Sequence, residues 1–343
     1  MDKPVFIMLI GNVGSGKSTF ANELIEEYKN DSSDDKITYL SSDDIREEIL
    51  GSEENQGNNS VVFEEMKKRT IDALKNGMNV VYDATNINKK RRKSLLNQLP
   101  KNSHKTACYI STDFDTCLNQ NNSRDRVVPY EVIDRFYKTL HLPVYSEGWD
   151  EIHYIHHKNS DDKAISDELR NSLRAEVLFN RDGYELIKFL SSYFKEFFKI
   201  YDLPHDSKYH TLSVSRHTYQ VYKYILENYH VKEGYERDKE IMLWTALLHD
   251  IGKHHCKSFY NRKGEECIHA NFIGHEYVGS QIAVDFLNQI GFDDKFIYEV
   301  STLIQYHMYL LNENASRSKL VNYVGEDMFA KLEILRDADT KAH

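Results

Sequence analysis

Eight residues near the amino terminus, Gly11-Asn12-Val13-Gly14-Ser15-Gly16-Lys17-Ser18, leave this chain few choices of fold. They fit the pattern G-x-x-x-x-G-K-[ST]. The context is that of a phosphate-binding turn, with the apolar run Val5–Ile10 before it and an amphipathic stretch, residues 18–29, after it. Glycines let backbone N–H groups curl around phosphate oxygens, and the start of a helix adds a favourable dipole. In such a loop Lys17 sits against the β- and γ-phosphates, Ser18 ligates Mg²⁺ and Thr19 opens the helix, so residues 11–19 read as a site for ATP with Mg²⁺.

The next 140 or so residues keep the alternation that such a loop requires. Residues 5–10, 37–40, 79–82 and 106–110 read as short buried strands, and residues 18–29 and 63–76 as helices between them. Strand and helix in alternation predict an α/β domain with a parallel sheet. A polar run, KNSDDKAISDE at residues 158–168, breaks the pattern. Beyond it residues 184–201, 214–229, 241–249, 277–290, 295–311 and 328–342 place apolar residues at helical spacing, with little strand signal. The expected organisation is a P-loop α/β domain over residues 1–157, a linker over 158–180 and an all-α helical bundle over 181–343. A chain of 343 residues is also long for a single core.

Composition narrows the classes of function. No apolar run approaches the roughly 20 residues that span a bilayer, so no membrane association is expected. Residues 1–10 carry one lysine against one aspartate and no small-residue cleavage site, and read as a buried strand rather than an export signal. Cys108, Cys117, Cys256 and Cys267 form no CxxC pair, as expected of reduced thiols in a cytoplasmic protein. The net charge of −10, with neither half basic, argues against a long duplex footprint; a polynucleotide would have to be held by local patches at a strand end.

Ser41-Ser42-Asp43-Asp44-Ile45-Arg46 falls at the end of the second strand, where the ligand crevice of a parallel sheet opens. A carboxylate there can take the proton of an acceptor hydroxyl, and an arginine three residues on can hold a phosphate. The same residues make good N-capping chemistry, and both roles can hold at once. Together with the phosphate loop, with Val80-Val81-Tyr82-Asp83-Ala84-Thr85-Asn86, and with Arg124, Arg126, Val128-Pro129, Val132-Ile133 and Glu147-Gly148-Trp149-Asp150, this stretch resembles the kinase module of phage-type polynucleotide kinases and their bacterial relatives. The resemblance spans nearly all of residues 1–157. It implies Asp43 as general base on a 5′-hydroxyl, Arg46 on the acceptor's phosphate, Asp83 near Mg²⁺ or orienting Arg46, and Arg124 or, by preference, Arg126 as a lid arginine over the donor phosphates. Lys89-Lys90-Arg91-Arg92-Lys93, the one dense basic run, is either a phosphate-tracking patch at the acceptor mouth or a solvated helix face.

The 16 histidines cluster after residue 200, which points to a metal site. His249-Asp250 ends an apolar helix in Leu247-Leu248-His249-Asp250-Ile251-Gly252-Lys253, with Gly252 as a plausible stop. Neighbouring His and Asp at a helix end can both reach one ion, and the carboxylate can bridge to a second. His217 shares an inward helix face with Val221 and Tyr224, His275 begins a helix, His307 closes another, and Asp339 lies in Arg336-Asp337-Ala338-Asp339.

The order His…His-Asp…His…His…Asp, with the runs ALLHDIGK and RDADTKA, resembles the HD phosphohydrolase superfamily over about residues 205–343. It implies that His217, His249, Asp250 and Asp339 (preferred to Asp337) hold a divalent metal, with His275 and His307 holding a second or gripping phosphate. Imidazole and carboxylate ligands without thiols suit Mn, Fe, Co, Ni or Zn, and such a metal activates water. His254-His255 and Tyr209-His210 read as surface residues.

A kinase and a phosphohydrolase in one chain are futile on the same phosphate but complementary on opposite ends of one strand. The pairing resembles HD-Pnk end-healing enzymes with the domain order swapped. The expected substrates are RNA or DNA ends bearing 5′-OH and 3′-phosphate or 2′,3′-cyclic phosphate, with a polynucleotide ligase acting next. Two alternatives stand beside it: a small-molecule kinase fused to an HD nucleotidase, and a P-loop nucleotide sensor regulating an HD hydrolase.

Overall fold

The computed structural model describes residues 3–31, 36–55, 57–124, 126–157, 165–180, 183–207, 211–312 and 314–342, in two compact units, residues 1–160 and 161–343. In the first unit the elements run β1 (Val5–Ile10), α1 (Lys17–Asp31), β2 (Ile37–Ser41), α2 (Ser42–Leu50), α3 (Asn59–Lys75), β3 (Asn79–Asp83), α4 (Lys89–Leu96), β4 (His104–Ser111), α5 (Phe114–Asn122), α6 (Tyr130–Thr139) and β5 (Glu151–His156). The strands form one parallel sheet in the order β2-β3-β1-β4-β5. Side chains alternate across it. Ile7, Leu9 and Val81 face Ala21, Phe20 and Leu24 of α1, while Met8 and Tyr82 face the opposite side.

Strand β5 is absent from the sequence expectation. It is an edge strand whose Glu151, His153 and His156 are not buried, and only Ile152 and Tyr154 are. An edge does not demand the continuous apolar run of a central parallel strand. Register matters more for function. Ser41 of β2 and Leu9 of β1 both pair with Asp83 of β3, so the segments leaving these three strands converge at one carboxyl edge.

The second unit comprises α7 (Asp167–Phe179), α8 (Glu185–Tyr193), α9 (Lys195–Ile200), α10 (Val214–Asn228), α11 (Glu236–Leu248), α12 (Lys253–Cys256), a hairpin of β6 (Ser258–Tyr260) and β7 (Glu266–Asn271), α13 (His275–Gln289), α14 (Asp294–Tyr306), α15 (Arg317–Val324) and α16 (Glu326–Lys341). After a charged first turn, helix α11 is buried on every side from Glu240 to Leu248, as a helix central to a bundle must be. Trp244 at its middle meets Phe286 and Phe292 at centroid distances of 5.5 and 6.0 Å.

Part of the stretch read as a linker, residues 158–180, is helical. Residues 158–164, and Tyr209-His210, lie outside the described residues. Residues 167–179 are helix α7, capped by Ser166 through Leu169 N. Leu173 and Val177 are buried, the Tyr222 hydroxyl donates to the Val177 carbonyl at 2.6 Å, and Arg174 holds Glu240 with two hydrogen bonds of 2.8 and 2.9 Å. Its apolar residues Leu169, Leu173 and Val177 stand at helical spacing, but the polar run before it overlaps its first turn. The stretch 184–201 is likewise two helices, broken where Phe194 turns extended.

Lys90, Arg91 and Lys93 of the basic run are exposed, as expected of a solvated helix face, and Arg92 departs from it. Arg92 is 1% exposed and grips the buried Glu147 bidentately at 2.8 and 2.7 Å, with further bonds to the Asn86 and His141 carbonyls at 2.9 and 2.8 Å. Lys93 donates to the Ser146 carbonyl. Arg92 thus ties α4 to the segment before β5. Removing one partner of a buried pair strands the other's charge, so Arg92→Ala is expected to destabilise the first unit by about 3–5 kcal/mol. Denaturant unfolding of the variant measures this; a loss below about 1 kcal/mol would refute it.

Candidate active sites

In the first unit the phosphate loop bends between β1 and α1, with Gly14 and Gly16 at φ 76° and 87°. Gly14 could carry no side chain, because a Cβ there would lie 2.2 Å from the Cys117 carbonyl oxygen. Lys17 folds back over the loop, its Nζ donating to the Asn12 carbonyl at 2.6 Å and to Ser15 Oγ at 3.5 Å. Burial pulls its ammonium below the ordinary value, opposed by the Asp83 charge and reinforced by Arg124.

Asp83 at the end of β3 accepts from Ser18 Oγ and from the Tyr39 hydroxyl, both at 2.8 Å. Burial and the Asp83 charge push the Tyr39 phenol up. Ser18 and Asp83 stand together as a hydroxyl–carboxylate pair beside the loop, a donor set that fits Mg²⁺.

Ser41 caps α2, accepting from Asp43 N and Asp44 N at 3.2 and 3.3 Å. The cap is therefore the serine, and the Asp43 carboxylate is left to face the crevice. Arg46 Nη1 donates to Asp43 Oδ1, Arg126 Nη1 reaches the same oxygen at 3.4 Å, and Arg46 Nη2 donates to Asn59 Oδ1 at 3.3 Å. Arg46 is 5% exposed, and its buried Nε has no hydrogen-bond partner among the described residues. A buried donor left open costs free energy unless an acceptor arrives. Arg124 is exposed and, unlike Arg126, makes no side-chain contact with Asp43.

In the second unit α11 delivers His249 and Asp250 at its end. The turn that follows passes so close to α13 that a Cβ on Gly252 would lie 2.4 Å from the His275 carbonyl oxygen. Gly252 has φ −76°, so close approach rather than a left-handed stop explains it. His217 from α10, His249 and Asp339 from α16 form one group, and Asp250, His275 and His307 a second. Asp250 joins them: Oδ2 lies 3.3 Å from His249 Nε2 and 3.7 Å from His217 Nε2, and Oδ1 lies 3.4 Å from His275 Nε2. Asp339 Oδ1 is 2.8 Å from His217 Nε2. Asp337 is exposed and pairs with Arg336. His254 and His255 belong to neither group.

The histidines are oriented alike. Nδ1 of His217, His249, His275 and His307 each donates to a backbone carbonyl, of Ala342, Ala246, Phe272 and Ile304, at 2.7 to 3.1 Å. Carbonyls only accept, so these nitrogens carry the protons and the Nε2 lone pairs turn inward. His275 Nε2 and His307 Nε2 then face each other at 3.2 Å, and the buried His249 Nε2 has no hydrogen-bond partner among the described residues. Converging lone pairs repel unless a cation lies between them, so the donor set fits a divalent metal. Burial and the neighbouring His275 push His307 down to about 3. Burial would raise the Asp250 carboxyl, but His249 and Lys253 outweigh it and hold it well below the usual carboxylate range.

Sequence reasoning assigned no role to Tyr39, His205 or Lys253. Lys253 is buried, donating to Asp250 Oδ2 at 2.7 Å and to His205 Nε2 at 3.1 Å. Its place three residues after Asp250 on a helical turn was the available signal. His205 and Tyr39 carried none.

These two sites define a kinase-like P-loop domain joined to an HD domain. Residues 6–143 match the family model described as AAA domain, and residues 209–341 match that described as HD domain. No curated protein matches the chain. Among solved structures, two determinations of a Pnkp1/Rnl/Hen1 complex, one described as an RNA repair complex, are similar at 21% and 20% identity with TM-scores of 0.31 and 0.35. The similarity covers 38% and 40% of this chain and 42% and 43% of those chains, so less than half their length is spanned. A gluconokinase from Sinorhizobium meliloti 1021 is similar at 15% identity and a TM-score of 0.33, over 46% of this chain and 86% of that one. Among the described residues no helix is long and apolar enough to cross a membrane.

Proposed function

We propose that the protein heals nucleic-acid ends, phosphorylating a 5′-hydroxyl in its P-loop domain and removing a 3′-terminal or 2′,3′-cyclic phosphate in its HD domain. The observation that carries the first half is the Asp43 carboxylate clasped by Arg46 and Arg126 at the carboxyl edge of the sheet. A nucleotide sensor needs Lys17 but no such acceptor group. Asp43 takes the proton of the 5′-hydroxyl, whose oxygen attacks the γ-phosphorus of ATP as the bond to ADP breaks. Lys17 and Arg126 carry the charge that builds on the transferring group. Arg46, with its open Nε, holds a phosphate of the acceptor strand. Ser18 and Asp83 would hold Mg²⁺, which would supply charge neutralisation at the donor phosphates.

In the HD domain His217, His249, Asp250 and Asp339 would hold a divalent metal, and His275 and His307 would hold a second or grip the phosphate. A bound transition metal supplies an acidified water and charge neutralisation at the phosphoryl oxygens. Lys253 keeps Asp250 in place and, with His205 behind it, adds a fixed positive charge beside the site.

The test is one short RNA bearing a 5′-OH and a 2′,3′-cyclic phosphate, incubated with ATP, Mg²⁺ and Mn²⁺ or Ni²⁺, with both ends read by mass. A gained 5′-phosphate together with an opened or lost terminal phosphate is expected. If both ends stay unchanged while free nucleosides or nucleotides are turned over, the small-molecule alternative takes its place.

A further inference from the structure

Between α3 and α4, on the face of the sheet away from α1, lies a cleft of about 380 Å³. Met8 and Tyr82 line it from the sheet, Phe63 from α3 and Leu95 from α4. Polar and charged side chains, among them Asn59, Glu64, Lys67, Asn88, Arg91 and Gln98, complete the lining. Asn59 is also the residue that accepts from Arg46 Nη2. The cleft therefore begins where the Asp43–Arg46 pair ends, and an acceptor with its hydroxyl at Asp43 extends into it.

The lining says what kind of group that is. A planar heterocycle loses nothing there: its faces stack on an aromatic ring or pack on methionine, and its polar edge meets the amide and the guanidinium. The size lies at the lower end of small-ligand pockets, enough for one base with its sugar.

We infer that this cleft holds the nucleobase of the nucleotide that carries the acceptor 5′-hydroxyl, with Phe63 as its stacking residue, an assignment that rests on the strand-end function proposed above. The α3–α4 cleft would thus read the presence of a base at the strand end, while Arg46 reads the phosphate behind it.

Two 5′-OH oligonucleotides, identical except that the first residue of one is abasic, test this with the full chain and ATP. Removing the base is expected to lower kcat/KM roughly tenfold to a hundredfold. Phe63→Ala should impose a similar loss on the base-bearing strand and almost none on the abasic one, and Phe63→Leu, which preserves packing, an intermediate loss. Equal rates on the two strands in the unaltered protein would overturn the nucleobase assignment and leave end phosphorylation standing. Equal slowing of both strands by Phe63→Ala would overturn it as well, since that is what a purely structural role gives. Transfer to neither strand would overturn both this assignment and the function beneath it.

Discussion

Lys17→Ala is expected to lower phosphate transfer to a 5′-OH strand by about a thousandfold while leaving metal-dependent phosphate removal at the other end untouched. The lysine ammonium is held 2.6 Å from the Asn12 carbonyl by the loop itself, so its charge is in place before any nucleotide arrives. Alanine removes a preorganised cation from a group whose transition state carries charge on three oxygens. The effect stays in one domain because the His and Asp clusters belong to a separate compact unit. Label transfer from γ-labelled ATP and release of terminal phosphate, measured on the same preparation, give both numbers.

The companion variant Asp43→Asn is expected to lose a hundredfold to about ten-thousandfold in transfer with nucleotide affinity nearly unchanged, because Asp43 contacts Arg46 and Arg126 rather than the loop. Loss of every ATP-dependent effect in Lys17→Ala beside a fully active Asp43→Asn would favour the sensor reading. Loss of both end-healing activities in either variant would contradict two independent sites.

Asp250→Ala should do the reverse. Its two carboxylate oxygens face different groups, Oδ2 toward His217 and His249 and Oδ1 toward His275, so one substitution removes an anionic donor from both. Without Asp250 the first group retains one carboxylate, Asp339, and the second none. Bound Mn²⁺ or Ni²⁺ is expected to fall at least about tenfold, with phosphate removal dropping at least about a thousandfold and 5′-phosphorylation preserved. Elemental analysis of the purified protein reads the first quantity. Unchanged metal content would show that the ligand set is wrong, even if activity were lost. Because Lys253 also loses its partner, a thermal melt of the metal-free forms separates ligand loss from unfolding.

Much of this was legible in the chain because it is local. The phosphate loop is eight consecutive residues whose glycines and lysine work through neighbouring backbone, and the surrounding strand and helix announce themselves by hydrophobic pattern alone. His249-Asp250 at the end of a helix whose second half is largely apolar is equally local, and the other histidines each sit on a periodic helical stretch. Helix α7 lies inside the stretch read as a linker because the polar run at residues 158–168 overlaps its first turn. Strand β5 was missed because an edge position tolerates histidine and glutamate.

By itself, then, the sequence determined an α/β phosphate-loop domain followed by a helical His/Asp domain, since periodicity and short motifs are properties of adjacent residues. Only the tertiary structure decided that Asp83 bonds Ser18 and Tyr39, that Arg126 rather than Arg124 reaches Asp43, and that Arg92 serves the buried Glu147. Only it showed that Asp250 faces two groups of ligands at once. Each of these depends on sheet register or helix packing between residues 25 to 83 positions apart, and no pattern along the chain encodes a distance across it.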